Sequence, residues 1–141
     1  MSYDPQNVFA RILRGEISSH TVYEDEHTLC FMDAMPQSDG HVLVIPKYPA
    51  TDLLELPGEH LQSLILVTQR MAKAAQRAFG ADGIMVMQLN GAAAGQTVLH
   101  IHFHVIPRHH GRELVGHARN MAESAVLAEH ARRLREALAA A

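Results

Sequence analysis

His100-Ile101-His102-Phe103-His104-Val105-Ile106 sets three imidazoles at alternate positions with apolar side chains between them. Side chains on an extended strand point alternately to its two faces, so the spacing predicts a strand with His100, His102 and His104 on one face. Ile101, Phe103 and Val105 then enter a core from the other face. The strand is expected to run from Val98 to Ile106 and to end before Pro107. Three imidazoles in a row are a costly way to line a core, because each ring has two nitrogens to satisfy. The histidine face therefore reads as a site.

Outward from this segment, Asn90 to Thr97 is a Gly/Ala loop, and Ile84 to Leu89 is a further strand. Leu61, Leu64, Ile65, Thr68, Met71, Ala72, Ala75 and Phe79 recur at helical steps and predict a long helix, stopped by Gly80. Thr21–Tyr23, Thr28–Met32 and His41–Ile45 read as short strands joined by turns, with Pro46 ending the third. A short first helix starts near Val8, with Asp4 as its expected N-cap and Gly15 as terminator. Met121, Ser124, Leu127, Ala131, Leu134 and Leu138 form a C-terminal helical stripe. The predicted class is α+β: about five antiparallel strands in one sheet, one long covering helix, a short N-terminal helix and a C-terminal helix. Residues 1–141 are expected to form a single domain.

Composition narrows the function. The chain has 141 residues and a net charge of -3, which disfavours a protein that coats nucleic acid. Its single cysteine excludes a disulfide framework and multi-cysteine zinc modules. The absence of an apolar span and of a leader pattern predicts a cytoplasmic protein with no membrane partner. Neither GxxxxGK[ST] nor GxGxxG is present, so a nucleotide would be held by other means.

Two chemistries suit the histidine face. The imidazoles, helped by His41 or His109, can bind a metal. Alternatively, one imidazole is a nucleophile toward phosphorus, forming a labile phosphoramidate, while its neighbours set its tautomer. No carboxylate lies between Asn90 and the histidines, and a missing acidic ligand counts against the metal reading. Asn90, Gln96 and Thr97 offer uncharged groups to phosphate.

The histidine segment resembles the His-x-His-x-His-x-x signature of the histidine-triad (HIT) superfamily. The resemblance extends through Val8-Phe9-Ala10-Arg11-Ile12, Phe31-Met32-Asp33, Gly40-His41-Val42-Leu43-Val44-Ile45-Pro46-Lys47 and Gly95-Gln96-Thr97. It implies a HIT-like fold and a hydrolase or transferase acting at the α-phosphate of nucleotides, with no cofactor or catalytic metal. By the same resemblance His102 is the nucleophile, His104 binds phosphate oxygens, His100 supports the network and His41 sits behind the triad. Asn90, Gln96 and Thr97 contact phosphate or order the histidines. Asp33 takes the ribose hydroxyls, and Phe9 and Phe31 line the base pocket. The expected substrate is a purine nucleotide conjugate, and a C2 homodimer is expected. Alternatives are a dinucleoside polyphosphate hydrolase, a metal hydrolase and a non-catalytic nucleotide-binding protein.

Many bacterial members of that superfamily bind a structural zinc through Cys-x-x-Cys in the first helix. Here those positions read Asn7-Val8-Phe9-Ala10, so the first helix is expected to be held by packing alone. Arg108 is a candidate for a distal phosphate, and His109 and His110 are ambiguous. His20, His27, His60, His117 and His130 are expected on the surface. Leu114 and Val115 are candidates for a dimer contact or a substrate lip.

Overall fold

A computed structural model describes residues 3–114 and 120–140. Val115, Gly116 and His117 lie outside the described residues. The element order is α1 (Val8–Leu13), β1 (Thr21–Glu24), β2 (Thr28–Met32), β3 (Val42–Pro46), α2 (Gly58–Phe79), β4 (Gly83–Gln88), β5 (Phe103–Arg108) and α3 (Ser124–Ala139). The five strands form one sheet in the order β1-β2-β3-β5-β4. Each neighbouring pair is antiparallel, as the short connections predict.

Strand β3 is buried along its whole length, because both faces of the sheet are covered there. On one face Cys30, Met32, Val42, Val44 and Val105 meet Leu64, Met71 and Ala75 of α2 and Leu127, Ala131 and Leu134 of α3. On the other face Leu29, Phe31, Leu43 and Ile45 pack with Phe9 of α1. The two-residue alternation of Leu43 and Ile45 against Val42 and Val44 separates these clusters. Leu43 stands opposite His104 in the register, so His104 belongs to the Phe9 face.

Helix α2 ends at Gly80, whose left-handed backbone (φ +56°) lets its N–H close on the Gln76 carbonyl. Helix α3 packs over its own subunit, against α2 and β1. Arg133 donates to the Ala78 carbonyl and its guanidinium lies 4.4 Å from the centre of the Phe79 ring. That ring also closes on Gly40, at φ +85°, where a Cβ would stand 2.5 Å from it. Gly40 is therefore required both for its backbone angle and for the approach of Phe79.

Several boundaries differ from the sequence reading. Asn7 caps α1, its Oδ1 accepting from the Ala10 N–H at 2.9 Å. Asp4 instead caps the preceding turn, accepting from the Gln6 N–H. Strand β5 begins at Phe103 because Ile101 N–H bonds to the Ala50 carbonyl in a loop, at 2.9 Å, rather than to a strand. It continues through Pro107, where the ladder with β3 has already ended. Likewise β3 starts at Val42 and includes Pro46. The helical stripe that starts at Met121 becomes helix only at Ser124.

Candidate active site

Strand β5 presents His104, and the irregular segment before it presents His100 and His102, all three buried. They do not lie on one regular strand face, since pairing starts only at Phe103. Their arrangement comes instead from backbone groups whose hydrogen-bonding role is fixed. A carbonyl only accepts and an amide N–H only donates, so each contact assigns a ring nitrogen.

The His102 Nδ1 lies 2.7 Å from the His100 carbonyl and must donate to it. In the neutral ring the lone pair is then on Nε2. His100 Nε2 lies 2.8 Å from the Pro46 carbonyl and donates there, leaving Nδ1 to accept from the Tyr3 hydroxyl at 2.7 Å. Burial pushes the His100 imidazole down to about 4, so it is neutral near pH 7. His41, also wholly buried, accepts the Gln37 N–H at its Nδ1, 3.1 Å away. Its proton is therefore on Nε2, which faces His104 Nδ1 at 2.9 Å. His104, accepting at Nδ1, carries its own proton on Nε2. His102 and His104 thus present opposite characters at Nε2, a lone pair and a donor. Their ring centres are 5.0 Å apart.

Asp33 follows β2 and is buried; its Oδ1 accepts from the Met35 N–H at 2.8 Å. Its Oδ2 lies 3.4 Å from His41 Nε2. A carboxylate is therefore present beside the histidines after all, delivered by another strand rather than by the adjoining loop. Asp33, His41 and His104 each offer a ligand atom, all within 4.8 Å of one another. Metal binding there meets a specific obstacle. The Gln37 N–H keeps the His41 proton on Nε2, the atom a cation would need, so coordination requires either loss of that proton or loss of the Gln37 bond.

Beside the histidines opens a largely apolar pocket of about 440 Å³. Phe9, Ile12, Phe31, Asp33, Thr97, His102 and His104 line it. The Phe9 ring meets His102 edge-on, with centroids 4.9 Å apart. Of the loop residues expected at phosphate, Thr97 reaches the pocket, whereas Asn90 and Gln96 do not line it. Gln96 is buried, accepting from the Gly91 N–H and donating to the Thr51 and Val98 carbonyls. Asn90 accepts from the Leu53 N–H and exchanges bonds with the Gln88 amide. These two amides shape the loop.

Other wall residues have no local motif. Ser18, Ser19 and His20 line the pocket, and His20 Nε2 lies 3.2 Å from Ser124 Oγ. His20 is thus a wall residue rather than a bare surface one. Met121, Ala122, Ser124 and Leu127 close the same pocket from the C-terminal segment. The Ala122 N–H bonds to the Ala34 carbonyl next to Asp33. The C-terminal stripe is visible in the sequence, but nothing local tells which surface it covers. Arg108 lies farther along β5, outside this pocket, and donates to the Arg112 carbonyl.

A family model described as HIT domain matches residues 14–111. An uncharacterized HIT-like protein of Methanocaldococcus jannaschii is 40% identical over 104 residues, 74% of this chain and 80% of that protein. An adenosine 5'-monophosphoramidase of Saccharomyces cerevisiae is 37% identical over 105 residues, 74% of this chain and 64% of that protein. Among solved structures, a Hit-like protein of Bartonella henselae superposes with a TM-score of 0.93 at 47% identity, covering 97% of this chain and 99% of that one.

Proposed function

This chain belongs to the HIT family, and on that premise we propose that it hydrolyses a purine nucleotide conjugate at its α-phosphate through a covalent nucleotidyl-histidine. The observation that carries the reading is the pair of opposed ring nitrogens, His102 Nε2 with a lone pair and His104 Nε2 with a proton, at an apolar pocket. The similarity to a yeast adenosine 5'-monophosphoramidase supports it.

In this mechanism the base lies among Phe9, Ile12 and Phe31, and Asp33 accepts from the ribose hydroxyls. His104 Nε2–H donates to an α-phosphate oxygen, and His41 holds it in that tautomer. His102 Nε2 attacks phosphorus in line as the bond to the leaving group breaks. The leaving group takes up a proton from solvent as it departs, and the attacking water of the second step returns one. The resulting cationic ring keeps its Nδ1–H on the His100 carbonyl, which stabilises the charge where it develops. Water then attacks phosphorus, releasing nucleoside monophosphate and restoring His102. The reaction takes place in the cytoplasm of a cell, in a homodimer with one site per subunit.

A turnover panel on the purified protein tests the substrate class. Adenosine phosphoramidates are expected to turn over with a higher kcat/KM than dinucleoside polyphosphates. The reverse preference would reassign the leaving group, and no turnover of either class would refute the hydrolase reading.

A further inference from the structure

The first helix is not held by packing alone. Tyr3, five residues before α1, sends its hydroxyl to His100 Nδ1 at 2.7 Å, across 97 residues of sequence. Its ring also stands edge-on to His100, centroids 5.6 Å apart. His100 is wholly buried and its other nitrogen holds the Pro46 carbonyl. The ring is thus pinned at both nitrogens, and Tyr3 is one of the two pins.

The consequence runs through the backbone. The carbonyl that assigns the His102 tautomer belongs to His100. It lies before Phe103, where regular strand pairing begins, so no sheet ladder holds it. The Ile101 N–H bond to Ala50 and the two bonds of the His100 ring tie the segment to the rest of the fold. A loosened His100 ring frees the carbonyl to rotate, and His102 then loses the partner that keeps its proton on Nδ1. Tyr3 also ties down the segment leading into α1, and α1 carries Phe9 against His102. The phenol thus reaches the triad directly.

We propose that Tyr3 is a positioning residue for the nucleophile, fixing the His100 ring and, through the His100 carbonyl, the tautomer and aim of His102. The inference rests on the function proposed above only for its catalytic consequence; its structural claim stands separately. Burial keeps the Tyr3 phenol above its ordinary pKa, so it remains a donor across the working pH range. Removing the hydroxyl leaves a buried lone pair on His100 Nδ1 without its donor, and the ring meets that loss by turning or by taking a proton.

The test uses the full chain and Tyr3→Phe, which keeps the ring packed on His100. Long-range 1H–15N spectra of the imidazoles, recorded without substrate, report each tautomer. The parent is expected to show His100 protonated at Nε2 and His102 at Nδ1, and Tyr3→Phe is expected to show mixed tautomers at both. With an adenosine phosphoramidate, kcat should fall roughly tenfold with KM nearly unchanged, the size expected for one buried hydrogen bond. The acid limb of its kcat profile should also move to higher pH. Unchanged tautomers in Tyr3→Phe overturn the proposal, as does a changed spectrum with unchanged kcat and pH profile. Absence of turnover in the parent defeats the functional reading alone, and the spectra still decide the role of Tyr3.

Discussion

At the scale of single residues, the site is a set of imidazoles whose tautomers are assigned by backbone groups, by the Tyr3 hydroxyl and by one another. His102→Ala removes the atom that, in the proposed mechanism, forms the bond to phosphorus, while the other pocket walls remain. Steady-state kinetics should show kcat reduced at least ~10⁴-fold, with nucleotide affinity by calorimetry within a few fold of the parent. Retained turnover would assign the nucleophile elsewhere. His100 makes a second prediction, about stability. Burial depresses its pKa from 6.5 to about 4, so between those values the unfolded chain takes up a proton that the folded chain refuses. Stability therefore falls as the pH falls from about 6.5 to about 4, by up to about 3 kcal/mol from this group. His130, partly buried against Phe79, is shifted in the same direction. Urea unfolding across that range should show the loss; a flat profile would mean that His100 is solvated. The triad itself is legible in the sequence, because alternate histidines are conspicuous. The tautomers are not, because the Pro46 carbonyl, the Gln37 N–H and the Tyr3 hydroxyl reach the rings only through the fold.

At the scale of elements, α3 does two things: it covers the core and walls the pocket. Leu134 is wholly buried between α3 and the rest of the cluster. Leu134→Ala should cost about 2–5 kcal/mol in chemical denaturation. It should also raise KM for nucleotide, because Ser124 and Leu127 on the same helix line the pocket. A change below about 0.5 kcal/mol would place α3 away from this core. Periodicity shows α2 and the C-terminal stripe plainly, since each buries one face. It does not show what α3 packs against, nor that Met121 to Leu127 face the site. The extent of β5 is illegible for a different reason. Alternation continues from His100 to Val105, yet the partner of Ile101 is the Ala50 carbonyl of a loop, and only tertiary structure supplies it. Asn90 and Gln96 show the same limit, since small polar residues near a site can build its loop or touch its ligand, and here their partners are protein atoms.

At the scale of the whole molecule, β4 is an edge strand whose outward Val86 is 45% exposed, and α2 leaves Ile65 and Leu66 44% and 61% exposed. Edge strands of this kind are prone to pair, and a two-fold partner satisfies them. Light scattering at micromolar concentration should give a dimer of the 15.6 kDa chain. Its melting temperature should rise with protein concentration, because association stabilises the folded state. A fully active monomer with concentration-independent melting would contradict this assembly.

In the proposed mechanism His102 becomes covalently bonded to the nucleotide. Rapid acid-free denaturing quench of the enzyme with an adenosine phosphoramidate, followed by intact mass and peptide mapping at alkaline pH, reads this directly. A transient mass increment of one nucleoside monophosphate, localised to His102 and absent in His102→Ala, is the predicted result. Turnover at full rate with no such adduct at any quench time, under conditions that preserve a phosphoramidate standard, would contradict it.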